Sequence, residues 1–553
     1  MAGEAKLRRR TQTSLIALIA AASLGGGVGS VAHAAAPKAA KVVAPDPRDA
    51  KIEALQRQLE ALAAKVDMLE AKAAAPAPAP LPVAAPAPPP PAPIQTLPTI
   101  ATAPPASNAG ATILAGKPSI QSADGRFTAN LHGVMQFDAA DYDQDTPGPI
   151  TSDFRRGATA ADTAHARDLS SGTNFRRARI GIDGKAFGDF EYSVLFEFGG
   201  AGYEDAGHIQ ELWFQYSGLK PFHFKVGAFP PSIGLEDQAS TNGAPFLERP
   251  AIADIARGVA GGDFREAAML WAAGERWYAA GSVTGRTVGV VNSQATGVAQ
   301  PYDSALGFIG RAAFIPYKDD DILVHLGVHG SYVARTADTG GPDTAPGAVR
   351  YGVTLQERPE LRVDGTRLIS TGAIDADHAD TRGLEAAGQY KNLFVQAEYE
   401  RIGMERRNPA AGATDPRFDG WYVEGSWVLT GEKRRYNPNS FAFDAPTIDH
   451  PFSPLNGTWG AFELAARYST VDLNYKPGAF GTAPSASAVR GGEQTIVSGG
   501  VNWYLNSIVR FMLDYQDVKI ERLSPSAATF STPVGAQIGQ SYHVISLRSQ
   551  MAF

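Results

Sequence analysis

The chain has 553 residues, no cysteine, 50 Lys and Arg against 57 Asp and Glu, and a net charge of -7. Basic residues scattered through an acidic protein exclude nucleic acid as a partner. The lack of thiols excludes cysteine nucleophiles, thiolate metal centres and disulfides, whereas length alone allows several domains or one large closed sheet.

At the start, Lys6, Arg8, Arg9 and Arg10 precede an apolar run, Leu15 to Leu24, that leads to Ala32-His33-Ala34. Basic, apolar, then A-x-A is the order of a secretory signal, so residues 1–34 are expected to be removed on export. No other segment reaches the ~20 apolar residues that a membrane helix needs. If the exported chain crosses a membrane, it must do so as a barrel.

Within 46–72, Ile52, Leu55, Leu59, Leu62, Val66 and Leu69 recur at steps of three and four. This is an a/d seam about three heptads long, enough for a short coiled coil and hence for self-association. Residues 73–118 form a linker in which 73–106 is almost all Ala and Pro, which build neither helix nor core and predict an extended spacer with a reach on the order of 90 Å. Such a stalk suits the periplasm and could touch the cell wall.

From 123 to 553 short runs of alternating apolar and polar residues take over, many ending in aromatics. Sixteen are predicted as strands, near 127–142, 175–185, 189–198, 208–216, 222–229, 263–271, 277–285, 306–314, 322–334, 383–390, 393–402, 419–429, 459–469, 493–505, 508–517 and 541–553. The fold class is therefore all-β, a 16-stranded antiparallel transmembrane barrel, an even count being the bacterial habit. Connections such as "SGLKP", "YKDDD", "KN" and "LNS" alternate with 143–174, 230–262, 335–382 and 518–540. Short periplasmic turns and long external loops have that rhythm. Only 430–458 breaks it, being a periplasmic turn by count and a long segment by length.

Successive side chains point to opposite faces of a strand. Parity puts Ile180, Ile182, Val194, Phe196, Leu212, Phe214, Leu326, Val328, Phe511 and Leu513 towards lipid. Arg177, Arg179, Asp183, Lys185, Glu191, Glu197, Glu211, His325, His329, Arg510 and Asp514 point into the lumen. Arg or Lys on the lipid face at mid-bilayer costs ~2–4 kcal/mol, and that face is nearly free of both. The exception, Arg176, is expected near a strand end, reaching head-group or lipopolysaccharide phosphates. The chain closes on Ile545, Leu547, Met551 and Phe553 in one parity, a terminal strand of the kind that the barrel assembly machinery reads.

Several stretches have a familiar form: "FRRARIGIDGK" (175–185), "ELWFQYSGLKPFHFKVGAF" (211–229), "FLERP" (246–250), "GLEAAGQYKNLFVQAEYER" (383–401), "GWYVEGSWVLTGEKRRYN" (420–437) and "GVNWYLNSIVRFMLDY" (500–515). Together, over roughly 120–553, they resemble the phosphate-selective porins O and P. The resemblance implies a homotrimeric channel in the outer membrane of a Gram-negative bacterium, with a periplasmic N-terminal extension, passing small anions with phosphate the named solute. It implies a third external loop, Pro230 to Gly262, folded into the lumen, which puts Pro230, Glu236, Asp237, Glu248 and Arg249 at the constriction. It also implies a basic path: Arg177, Arg179, Lys225 and Arg510 by motif, to which parity adds Arg265, Arg311, Arg467 and Arg548. A guanidinium fork matches two phosphate oxygens and stays charged.

Two departures from the family pattern stand out. Gly227-Ala228-Phe229 is followed by Pro230-Pro231 where family members commonly carry a lysine, and the inward parity also carries Glu398, Glu424 and Glu463. Arginines facing carboxylates across strands can equally be a stiff, hydrated wall, since only excess positive charge at the narrowest point confers selectivity. No HExxH, GxSxG or P-loop is present, so no enzyme and no cofactor are expected. The "DADHAD" cluster, Asp375 to Asp380, reads as a solvated external loop, and His325 with His329 as a wet lumen pair, leaving no metal site. A different class of reading is a general or differently selective porin that doubles as a tether of outer membrane to cell wall through its stalk.

Overall fold

The computed structural model describes residues 110–114, 117–144, 169–200, 207–260, 265–288, 303–338, 349–525 and 534–553, all in the second of two units, Ala101–Phe553. The signal, the coiled coil and most of the linker lie outside the described residues.

Sixteen strands make one closed antiparallel sheet. They are β1 (Thr128–Gln144), β2 (Gly172–Ala186), β3 (Phe190–Glu197), β4 (His208–Leu219), β5 (Phe222–Phe229), β6 (Arg265–Ala273), β7 (Trp277–Thr287), β8 (Leu306–Lys318), β9 (Ile322–Arg335), β10 (Ile374–Tyr390), β11 (Leu393–Arg406), β12 (Arg417–Val428), β13 (Ala461–Tyr475), β14 (Val489–Tyr504), β15 (Val509–Glu521) and β16 (Ser541–Ala552). Each pairs with the next, and β16 returns to β1, with Tyr542 opposite Gln144 and Ala552 opposite Val134. Closure leaves no unpaired edge, which is what a backbone surrounded by hydrocarbon requires. A short hairpin, Gly110–Leu114 with Lys117–Gln121, adds to the beginning of β1. Sheet pairing therefore starts inside the stretch expected to be linker.

Six of the seven connections at the β2–β3 end are two to four residues long. Short polar side chains make them: Asp319 Oδ1 accepts from the Asp321 and Ile322 N–H groups at 2.8 and 2.7 Å, and Asn506 Oδ1 from Ile508 and Val509 at 2.8 and 2.9 Å. Asx turns of this kind replace the missing backbone partners. The opposite end carries the long loops. Asp375–Asp380 is not one of them: it belongs to β10, which extends well past the apolar belt, with Asp377 paired to Arg407 at 2.8 Å. Alternation of acidic and apolar residues, Ile374, Ala376 and Ala379 being buried, is a strand signal that the carboxylates had masked.

The outer face is apolar and exposed, with Ile180, Ile182, Phe214, Leu326, Val328, Leu513, Ile545 and Leu547 all open. The lumen is not simply wet. Two helices occur in the loop between β5 and β6, α1 (Leu235–Gln238) and α2 (Ala251–Ala260). Ile252, Ile255 and Val259 recur on one face of α2 and pack on inward-facing Ile309, Ile402, Phe418, Tyr422 and Val471. At the other end the β12–β13 connection folds back inside, seating Phe441 and Phe443 among Phe229, Trp271, Tyr278 and Phe394. That explains why 430–458 is long: it fills the lumen rather than turning the chain. Each fully buried side chain of this kind contributes about 1.5–3 kcal/mol.

Candidate functional site

Strand β2 pairs with β1 in step except at one point, where Gln136 faces Arg177 but Phe137 faces Phe175. Arg176 is thus an extra residue, a β-bulge, and a bulge breaks the alternation of side chains. Parity had sent Arg176 out to head groups; the bulge turns it in. Phe175 keeps the lipid side, edge-on to Phe137 at 5.3 Å, while Arg176 grips Glu248 of the β5–β6 loop through bonds of 2.7 and 3.0 Å.

The β5–β6 loop crosses the lumen and hangs from the far wall. Its carbonyls are taken almost in chain order: Asn242 by Gln550 at 2.9 Å, Gly243 by Arg434 at 2.8 Å, Ala244 by Arg510 at 2.9 Å and Pro245 by Asn502 at 2.8 Å. Leu247 receives Arg548, and Glu248 receives Arg467 at 3.0 Å. In return the Leu247 N–H donates to Asp514 at 2.8 Å. At the other end of the loop Glu398 accepts the Leu235 N–H and, at 3.0 Å, the Glu236 N–H.

Arg548, Arg467 and Arg434 among these anchors are also ion-paired, as is Arg311 at the other end of the barrel. Arg548 lies 2.6 Å from Asp138 and 2.8 Å from Glu248. Arg467 pairs with Glu360 and, at 3.3 Å, with Glu424, and Arg311 with Glu385 at 3.0 Å. Glu463 neutralises Arg434 at 2.7 Å. Arg311 further donates to the Ser440 and Phe441 carbonyls at 2.6 and 2.9 Å, which fastens the β12–β13 connection. Of the eight basic residues expected along a path, Arg311, Arg467, Arg510 and Arg548 are buried fastenings of the inserted loops. Arg265 donates to the Gly285 carbonyl at 2.9 Å and is not on the cavity wall.

The three others line open space. A cavity of about 530 Å³ lies between the β5–β6 loop and the wall made by β1 to β5. Arg176, Arg177, Arg179, Lys225, Arg249, Arg257 and Arg362 line it, against Glu197, Glu211, Asp237, Glu248 and Asp254. Pro230 is on this wall too, whereas Glu236 points away, to Gln396 at 2.6 Å. Most of the cations are matched: Arg179 with Glu197 at 2.6 Å, Arg257 with Asp254 at 2.7 Å, Arg362 with Asp254 at 2.7 Å and Arg249 with Asp237 at 3.6 Å. Arg177 and Lys225 are not. Among the described residues, Arg177 donates only to Gln136, at 2.5 Å, and the Lys225 ammonium sits over the Trp213 ring at 3.9 Å, neither in an ion pair.

Electrostatics of the loop follow from that setting. Burial pushes the Glu248 carboxyl up, but Arg176, Arg548, Arg177 and Arg362 outweigh it and hold it well below the usual range. Asp254 is lowered for the same reason: Arg257, Arg362 and Arg249 overcome its burial. Both carboxylates stay charged and keep the loop's guanidiniums in place.

Sequence reasoning missed Arg257 and Arg362. Arg257 had a signal, the three-residue step from Asp254 that makes two side chains neighbours on a helix. Arg362 lies in the β9–β10 loop, where no periodicity marks it. His325 and His329 are buried rather than wet, both bonded to Glu385, at 3.0 and 3.2 Å.

The sequence profile described as phosphate-selective porin O and P matches residues 148–553. Porin O of Pseudomonas aeruginosa is 24% identical over 414 residues, 73% of this chain and 86% of that protein. An uncharacterized protein of Caulobacter vibrioides is 26% identical over 513 residues, 91% of this chain and 90% of its own length. Among solved structures, the anion-selective porin from Comamonas acidovorans aligns over 77% of this chain and all of its own, with 12% identity and a TM-score of 0.40. A closed 16-stranded barrel with an apolar belt, an inserted β5–β6 loop and a profile match over most of its length make this an outer-membrane porin, and the chain belongs to the phosphate-selective porin O and P family.

Proposed function

We propose that the protein is a channel for passive diffusion of small anions, with phosphate-like oxyanions the preferred solutes and one path in each subunit of a homotrimer. The carrying observation is the cavity between the β5–β6 loop and the β1–β5 wall, where Arg177 and Lys225 have no carboxylate partner among the described residues. Uncompensated positive charge in a narrow, low-dielectric passage raises the local anion concentration. The surrounding matched pairs supply weaker contacts in series, so that an ion that enters can also leave. The match of the family profile, and the similarity to Porin O, support the same reading.

Planar-bilayer recording of the purified protein tests it. The reversal potential in a salt gradient is expected to report anion selectivity, and millimolar phosphate is expected to reduce a chloride current. A cation-selective pore would overturn the proposal, and an anion-selective pore indifferent to phosphate would remove the oxyanion preference.

A further inference from the structure

We propose that His329, Glu398 and Glu400 form a binding site for one divalent cation of the zinc class, set in the barrel wall beneath α1 and apart from the anion path. One imidazole nitrogen and one oxygen from each carboxylate lie within 4.8 Å of one another, and all three residues are buried. None of them lines the cavity beside β1–β5.

The strand register explains how the three meet. Glu398 and Glu400 are two steps apart on β11 and share its inner face, while His329 comes from β9, with β10 between. The β10 residue paired with both His329 and Glu400 is Gly383. A Cβ there would come within 1.9 Å of His329 Nε2, so only glycine lets the ring lie across β10 and reach β11.

Two further observations point to a ligand. His329 Nδ1 lies 3.2 Å from Glu385 Oε2, and Glu385 is itself fixed by Arg311 and His325, each at 3.0 Å. A carboxylate behind the imidazole is the usual partner of a metal-binding histidine: it keeps the proton on Nδ1 and turns the Nε2 lone pair outward. That nitrogen then faces Glu400 Oε1, and the two acceptors need a positive charge shared between them, a second ring proton or a metal ion. Second, Glu400 Oε2 is buried with no hydrogen-bond partner among the described residues, on a residue only 3% exposed. A buried orphan carboxylate oxygen beside a second carboxylate is costly without a counter-charge.

The donor set selects the cation. One imidazole nitrogen with two carboxylates suits zinc and its transition-metal neighbours. Calcium requires six to eight oxygens and magnesium a near-octahedral oxygen shell, which these residues do not offer. Glu398 also accepts from the backbone at the start of α1 and from Tyr422 at 2.7 Å. A bound cation would therefore brace β9 against β11 and, through Glu398, the root of the loop that walls the channel.

The test uses untagged, full-length protein in detergent, stripped with a chelator and exchanged into metal-free buffer. Calorimetric titration with Zn²⁺ and metal analysis after gel filtration are expected to give one zinc per chain. Co²⁺ is expected to give visible absorption bands that added Zn²⁺ removes. H329Q and E400Q are expected to lose the site, and E385Q to weaken it about 10- to 100-fold, as removing an outer-shell carboxylate does. Heat-modifiable gel mobility controls for folding; should H329Q not fold, E400Q, which keeps a hydrogen-bonding oxygen, decides alone. Absence of binding at millimolar Zn²⁺ in the stripped wild type, or undiminished binding in E400Q, would overturn the site in favour of a protonated His329 bridging the carboxylates. Displacement of zinc by an equal concentration of Ca²⁺ would overturn the choice of cation.

Discussion

Two basic residues of the same parity class do opposite things here, and the difference lies in what each touches. Lys225 stands over an indole ring with no carboxylate partner among the described residues, whereas Arg548 lies between Asp138 and Glu248 with its remaining donor on the Leu247 carbonyl. Removing a charge that has no buried partner strands nothing; removing one member of a buried pair leaves the other unpaired, at about 3–5 kcal/mol. Lys225→Gln is therefore expected to move the bilayer reversal potential towards cation selectivity and to leave the unfolding temperature unchanged. Arg548→Ala is expected to lower the temperature at which the folded band disappears on a gel, because Asp138 loses its guanidinium while Glu248 keeps that of Arg176. Parity put Arg177 and Arg179 on the inner face, and the family motif added Lys225; all three line the cavity. Neither could show which inward arginines are occupied, since their partners come from loops far away in sequence, such as Glu360 for Arg467.

The inserted loops carry their own pH dependence. Glu248 is held well below the usual carboxylate range because four arginines outweigh its burial. A carboxylate whose folded pKa is depressed stabilises the fold fully above its unfolded pKa, and that stabilisation is lost as pH falls through the folded value. The seat of the β5–β6 loop should thus hold at neutral pH and weaken in acid, below about 4.5. Thermal unfolding followed from pH 7 downward should show the wild type losing stability there, and Glu248→Gln should give a lower but flatter profile. The same elements show where sequence stops being informative. Strand number, the long-short alternation and the lipid face could be read because each depends on a local period of two. The β12–β13 connection could be recognised as anomalous, but nothing local says that Phe441 and Phe443 return to the lumen, since a buried aromatic in a loop has no period. Replacing 435–446 with a short turn is expected to raise single-channel conductance, because the segment that Arg311 fastens would no longer fill that end of the barrel.

At the scale of the whole molecule the barrel exists only when β16 meets β1, and the contact there is unusually close. Gly133 and Phe553 exchange two backbone hydrogen bonds, at 3.0 and 2.9 Å, and the Phe553 ring lies directly over Gly133. A Cβ at position 133 would come within 2.5 Å of the ring's Cζ. The terminal aromatic was legible from the sequence; the glycine that receives it was not, because a glycine within a strand more often marks a bulge or a weak point. Its role here is to admit a ring from the other end of the chain. Gly133→Val should therefore push the ring aside, disturb closure and lower the yield of heat-modifiable folded barrel on refolding into detergent. Phe553→Ala should lower the yield as well, by removing the ring from the seam. If the two act through one contact, the double variant should refold little worse than Phe553→Ala alone, because the added methyl groups then meet no ring. Contacting residues couple in this way, whereas independent sites add. Additive losses in the double variant would show that Gly133 serves the strand rather than the seam.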